Sequence, residues 1–206
     1  MSALVATELS CTKRDRVLFE SLSVTLKPGH WLHVRGPNGA GKTSLLRILA
    51  GLSQPDSGQV QWNNHSLDNR YAAALVYHSH KPGLSSSINA LDNLKFWCAQ
   101  HNITVSDDTI FDILAHLALV GMEDVPVRLL SAGQQRRVAL ARLWLKPASV
   151  WILDEPFTAL DTFGIKIIEA RCQWFVKQGG AIIMTSHQPL NGASETIRFL
   201  DMEFKL

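Results

Sequence analysis

The sequence predicts an α/β fold with a parallel-sheet core, an antiparallel β part near its N-terminus and a helical insertion. Three observations predict it. Two strand-like runs, 150–153 and 181–185, are apolar on both faces, the pattern of strands buried in a parallel sheet. A helical stretch at 162–178 lies between them, as the right-handed crossover joining parallel neighbours requires. Between residues 90 and 120 apolar residues recur every three or four positions, the period of amphipathic helices.

Each element has its own justification. Alternating segments at 4–9, 21–26 and 31–34, with the turn Lys27-Pro28-Gly29 between the last two, read as an antiparallel β element feeding a strand at 30–35. A glycine loop follows, and then 44–50 runs apolar at helical spacing until Gly51 caps it. Gln54-Pro55-Asp56-Ser57-Gly58 turns the chain into a strand at 59–62, and 75–77 is a further short buried strand. After loop-like 81–87 come helices at 90–102 and 107–120, the second with Ser106-Asp107 at its start and Gly121 as its stop. Ser131-Ala132-Gly133-Gln134 fits the capping box S-x-x-Q, so a helix is expected from 131 to 145, where Lys146-Pro147 ends it. Its N-terminus is a second candidate phosphate site. The run 150–153 ends in Asp154-Glu155-Pro156, at the carboxyl edge where open α/β sheets bind ligands. Gly179-Gly180 closes the helix at 162–178, His187 stands just past the strand at 181–185, and the tail 196–206 is expected to give one or two edge strands.

Composition sets the limits. The chain has 206 residues, 46% of them hydrophobic, enough for one well-packed domain. Its 20 basic and 18 acidic residues leave a formal charge of +2 with no block of like charge, so no broad nucleic-acid binding is expected. Cys11, Cys98 and Cys172 have no C-x-x-C spacing, which fits reduced thiols in a cytoplasmic chain rather than a disulfide framework. The N-terminus lacks the charged and apolar regions of a signal peptide, and nowhere do 18 apolar residues run together, so the chain reads as neither secreted nor membrane-spanning on its own.

The chemistry concentrates in the glycine loop. Gly36-Pro37-Asn38-Gly39-Ala40-Gly41-Lys42-Thr43 fills the pattern G-x-x-x-x-G-K-[ST] between a strand and a helix. Glycines without side chains let successive N–H groups turn inward around phosphate oxygens at the positive end of the helix. Lys42 can then reach the β- and γ-phosphates, and the Thr43 hydroxyl suits Mg²⁺, which prefers hard oxygen ligands.

With the sites that follow, the chain resembles the ATP-binding-cassette family of transport ATPases over nearly its whole length. Residues 36–43 are similar to that family's Walker A, Leu130-Ser131-Ala132-Gly133-Gln134 to its signature, 150–155 to its Walker B, Ala159-Leu160-Asp161 to its D-loop and His187 to its switch histidine. The resemblance implies an ABC-type P-loop NTPase nucleotide-binding domain. It would be a single domain, with 1–80 and 146–206 as a RecA-like core carrying the β subdomain and 81–145 as a helical subdomain bearing the signature. It implies ATP and Mg²⁺ as cofactors. Gly36, Pro37, Asn38, Gly39, Ala40, Gly41, Lys42, Thr43 and Ser44 would surround the phosphates, and Thr43 and Asp154 would serve the metal. Glu155 would polarise the attacking water, with His187 and Lys42 completing the catalytic group. Ser131, Gly133, Gln134 and Asp161 would complete a nucleotide site across a homodimer.

Three positions depart from the family pattern. Ala132 stands where glycine is usual. The segment 11–16 has no aromatic to stack on adenine, leaving Arg14 or Arg16 either as a guanidinium platform or as part of a solvated basic turn. His80 occupies the place of the Q-loop glutamine, where it would couple the nucleotide site to the helical insertion, and His78-Ser79-His80 alternatively reads as a metal pair short of a third ligand. These departures, with 130–145, 151–161 and His187-Gln188-Pro189-Leu190, resemble the ATP-binding subunits of bacterial haem exporters of cytochrome c maturation. That implies a homodimer on the cytoplasmic face of the inner membrane, docked on CcmB-like and CcmC-like membrane subunits and driving haem delivery or release of a haem-loaded chaperone. No haem on this chain itself is expected, since it has neither a Cys-Pro pair nor C-x-x-C-H. Leu84, Phe96 and Trp97, in the groove by residues 80–105, could accept a coupling helix, with core burial of Phe96 and Trp97 as the alternative. Export of a different substrate and a soluble P-loop ATPase uncoupled from transport are the alternatives.

Overall fold

The computed structural model describes residues 3–188 and 197–204. Pro189 and Leu190 of the family match, Thr196 and the last two residues of the expected tail lie outside the described residues. The chain divides into two compact units, one of Met1–Tyr77, Ala148–Glu155 and Gln173–Leu206, the other of His78–Pro147 and Pro156–Cys172. In chain order the elements are β1 (Leu4–Lys13), β2 (Arg16–Leu26), β3 (Trp31–Arg35), α1 (Lys42–Leu49), β4 (Ser57–Trp62), β5 (His65–Ser66), α2 (Asn69–Ala74) and β6 (Leu75–His78). There follow α3 (Ala90–Gln100), α4 (Asp107–His116), α5 (Ala132–Leu140), α6 (Arg142–Leu145), β7 (Val150–Asp154), α7 (Thr162–Lys177), β8 (Ala181–Thr185) and β9 (Ile197–Asp201).

The first unit holds an antiparallel sheet in the order β2-β1-β4-β5 and a five-stranded sheet in the order β6-β7-β8-β3-β9. β1 and β2 are longer than their alternation suggests. Register shifts in β1 between Ala6, Leu9, Cys11 and Thr12, with Glu8 at φ 51° and Ser21 of β2 at φ 48°, break the two-residue period that sequence reading depends on. In the second sheet β7 and β8 are buried at every position. Their flank is closed by Trp151, whose ring stacks on Phe175 with centroids 3.7 Å apart. β9 forms the edge, pairing parallel with β3.

Register, rather than any single residue, aligns the functional end of that sheet. Val34 pairs with Thr185, and Thr185 in turn pairs with Asp154. The chain therefore leaves β3 into the glycine loop, β7 into Glu155 and β8 into Ser186 at one level of one sheet edge. On the core side Leu45, Leu46, Ile48 and Leu49 of α1 are buried with the strands.

In the second unit Asn89 Oδ1 accepts from the Asp92 N–H to cap α3, and Ser106 Oγ accepts from the Thr109 N–H to cap α4. α4 stops at His116, four residues short of the expected end, because Ala118 takes a left-handed backbone at φ 53°. The helix expected at 131–145 is two pieces. The Ala141 N–H is shared between the Arg137 and Val138 carbonyls and the Trp144 N–H turns back to Ala141, so the turn there tightens. α2 and β5 were not foreseen. α2 is only six residues long, and its start is set by Asp68, whose Oδ1 accepts from the N–H groups of Arg70 and Tyr71.

Candidate active site

The glycine loop is held open by backbone geometry that only glycine adopts freely. Gly36, Gly39 and Gly41 have φ of 143°, 83° and 93°. A Cβ at Gly41 would also stand 2.9 Å from Leu18 Cβ, and one at Gly36 would collide with the Met202 carbonyl. Gly41 is the N-cap of α1 and has no side chain to satisfy the orphan N–H groups of the first turn, which leaves them for an anion. Lys42 Nζ lies over the loop, donating to the Gly36 carbonyl at 2.7 Å and the Pro37 carbonyl at 3.0 Å. Pro37, Asn38 and Gly39 are exposed, Ala40 is buried, and Ser44, the third residue of α1, is buried.

Beside the loop, Asp154 is 2% exposed, yet both its oxygens are occupied. The Thr43 hydroxyl donates to Oδ2 at 2.9 Å and the Thr185 hydroxyl to Oδ1 at 2.8 Å. Thr185 Oγ1 in turn accepts from the Glu155 N–H at 2.9 Å. This hydroxyl and carboxylate form a hard-oxygen donor set that suits Mg²⁺, which draws its remaining ligands from water and phosphate. Among the described residues there is no cluster of three or more His, Cys, Asp or Glu side chains fit for a metal.

Glu155 follows with φ 51°, a left-handed backbone that is strained for a residue with a side chain. Its carboxylate is 13% exposed. Oε2 accepts from the His187 N–H at 3.3 Å, while Oε1 is buried without a hydrogen-bond donor among the described residues, with His187 Nε2 3.5 Å away. A buried carboxylate oxygen with a free lone pair is placed to take a proton.

The second unit carries the other predicted residues. Ser131 and Gln134 form the expected capping box: Ser131 Oγ accepts from the Gln134 N–H and Gln134 Oε1 from the Ser131 N–H. Gly133 passes against the 159 backbone so closely that a Cβ would stand 2.6 Å from the Ala159 oxygen. Asp161 Oδ1 accepts from the Gly164 N–H at the start of α7. His80 is exposed, and its carbonyl accepts from Arg136 Nη2 at 2.8 Å. Arg136 Nη1 donates to His78 Nε2 at 2.9 Å, which removes that nitrogen from metal ligation. Arg142 donates to the Pro82 and Gly83 carbonyls, so two arginines of adjoining helices hold the backbone of 79–83.

Arg14 and Arg16 differ. Arg14 lies exposed in the β1–β2 turn, whereas the Arg16 guanidinium stacks 3.5 Å from the centroid of the Phe204 ring. Both members of that pair border Gly39, where a Cβ would stand 3.5 Å from the ring and 3.6 Å from Arg16 Nη1. Phe96 is 62% exposed, so the core reading fails for it; Trp97 is half-buried against His101. Thr185 and His33 were missed, since nothing local to either marks it. His33 is buried in β3, and its ring lies below the usual imidazole range chiefly through burial.

The family model described as ABC transporter matches residues 19–158. The chain belongs to the ABC transporter family. As a cassette of that family it is an ATP-binding, ATP-hydrolysing transporter subunit. It is 46% identical over 205 residues to the cytochrome c biogenesis ATP-binding export protein CcmA of Shigella flexneri and to that of Escherichia coli strain K12, covering 98% of this chain and 97% of each relative. Among solved structures, a putative ABC transporter ATP-binding protein from Pyrococcus furiosus superposes with TM-score 0.83 at 24% identity, covering 96% of the cassette and 97% of that chain. The dimeric structure of MJ0796, a bacterial ABC transporter cassette, superposes with TM-score 0.85 at 20% identity over 97% and 94% of the two chains. No helix among the described residues of the cassette is long and apolar enough to cross a membrane.

Proposed function

We propose that the cassette hydrolyses ATP to drive a haem exporter of cytochrome c maturation from the cytoplasmic face of the inner membrane. Its membrane partners would be CcmB-like and CcmC-like subunits. The observation that carries the catalytic part is Glu155: a carboxylate whose Oε1 is buried with no hydrogen-bond donor among the described residues, directly after Asp154 of the Thr43–Asp154 pair. The export part rests on the 46% identity to the CcmA proteins.

Each residue then has a task. The N–H groups of 39–44 would cradle the phosphates, and Lys42 would exchange its loop carbonyls for β- and γ-phosphate oxygens. Thr43 and Asp154 would hold Mg²⁺, whose contribution is to neutralise charge on those oxygens. Glu155 would accept a proton from water as the water oxygen bonds to the γ-phosphorus and the β–γ bridge bond breaks, releasing ADP and phosphate. His187, beside the Glu155 carboxylate, would contact the γ-phosphate. Arg16, backed by Phe204, would offer its guanidinium plane to the base.

The remaining residues act across a two-fold pair. Ser131 and the Gly133 N–H of one copy would meet the γ-phosphate held by Lys42 of the other, with Gln134 and Asp161 bordering that contact. His80 would link the site to the helical insertion, and exposed Phe96 with Leu84 would receive the membrane subunits. Glu155→Gln should bind ATP as the wild type does and hydrolyse it at least about a hundredfold more slowly, while Lys42→Ala should lose binding altogether. Equal turnover by wild type and Glu155→Gln would remove the assigned base. In cells lacking their own haem-exporter ATPase, the wild-type chain should restore haem-stained c-type cytochromes and Glu155→Gln should not; restoration by neither, with ATPase intact, would point to another cargo.

A further inference from the structure

β3 feeds the glycine loop, but one of its side chains faces a different part of the site. His33 is 5% exposed between Leu32 and Val34, in a strand where an apolar residue would bury without any desolvation cost. Its Nε2 lies 3.1 Å from the Ser186 carbonyl oxygen. A carbonyl only accepts, so Nε2 carries the proton and donates; protonation of the ring leaves that donor in place. The Phe199 ring braces the imidazole with centroids 5.9 Å apart, and Phe199 is covered in turn by the Arg35 guanidinium at 4.0 Å.

The Ser186 carbonyl and the His187 N–H belong to one peptide unit. That unit is planar and rigid, so what fixes one end fixes the other. At its carbonyl end it receives the His33 hydrogen bond, and at its N–H end it donates to Glu155 Oε2 at 3.3 Å. Ser186 and Gln188 close the same short turn, with Ser186 Oγ accepting from the Gln188 N–H and donating to the Gln188 carbonyl. A donor on the carbonyl also polarises the amide, which strengthens the hydrogen bond its N–H gives.

We propose that His33 is a positioning residue for hydrolysis: its Nε2–H pins the Ser186–His187 peptide, whose N–H orients the Glu155 carboxylate and whose next Cα carries the His187 ring. This rests on the role of Glu155 proposed above. Without the pin the peptide is held only by the Ser186–Gln188 turn, and the N–H that orients the Glu155 carboxylate is no longer fixed at its carbonyl end, while the glycine loop and Lys42 are untouched. Loss of His33 therefore slows the chemical step and leaves nucleotide affinity alone.

The test is steady-state ATPase of the cassette assembled with its membrane subunits. His33→Leu, which keeps the burial and removes the donor, should lower kcat about tenfold with KM for ATP within twofold of wild type. His33→Gln, which restores an N–H of similar reach, should recover kcat to within about threefold. The proposal is overturned if His33→Leu turns over within twofold of wild type, or if both variants are folded and fall equally. Should His33→Leu not fold, nitrogen-15 NMR of the wild-type ring decides: an Nε2-protonated tautomer supports the proposal and a bare Nε2 rejects it. Glu155→Gln at wild-type turnover would instead sink the role of Glu155, a result distinct from inactive Glu155→Gln beside an unimpaired His33→Leu.

Discussion

Thr185 is the most consequential side chain that no motif announces. Its hydroxyl donates to Asp154 and accepts from the Glu155 N–H, so it ties both acids of the 154–155 pair to the end of β8. Thr185→Val keeps the shape and removes that bridge, leaving a buried carboxylate oxygen and a backbone N–H unsatisfied. The expected loss is about 1–3 kcal/mol per orphaned group, read as a lower urea midpoint with unchanged slope; an unchanged midpoint would mean the hydroxyl carries no such role. Residues whose position is written in local spacing were legible. The loop at 36–43, the acids at 154–155 and His187 all stand at points where a strand ends, and the sequence marks each of those points. Thr185 and His33 escaped because what they contact is set by pairing between strands distant in sequence, which aligns Thr185 with both Val34 and Asp154.

At the level of elements, strong periodicity and explicit caps were readable, and interruptions were not. The Ser131–Gln134 capping box and the Ser106 cap stand as expected because each is a four-residue signal. The bulges of β1 and the tightened turn at Ala141 follow from packing that no short window contains. The end of β6 has a consequence for pH. Burial, and then the cations of Arg136 and Arg142, hold the His78 ring well below the usual imidazole range. The unfolded chain binds that proton more readily, so its stability contribution is complete above about pH 6.5 and is lost as pH falls below it, by at most about 1.4 kcal/mol per unit. His30 and His33, lowered chiefly by burial, act in the same direction. His78→Gln keeps an acceptor for Arg136 and should flatten the fall in melting temperature between about pH 6.5 and pH 5. A slope as steep as wild type would assign the effect elsewhere.

For the whole molecule, the glycine loop and the Thr43–Asp154 pair lie in the first unit, while the capped helix start at Ser131 and the acid at Asp161 lie in the second. Ser131, at 131, is exposed with its oxygen free to accept further donors or to give its own hydrogen. The family assignment follows from the matched length and identity, and the proposed two-fold arrangement accounts for an exposed serine at 131 whose hydroxyl can reach a group on a second copy. The decisive measurement is the structure of Glu155→Gln with Mg²⁺ and ATP. Two copies related by a two-fold axis, with Ser131 of each within hydrogen-bond reach of the γ-phosphate held by Lys42 of the other, is the predicted result. A γ-phosphate contacted by one chain alone, with Ser131 facing solvent, would contradict it.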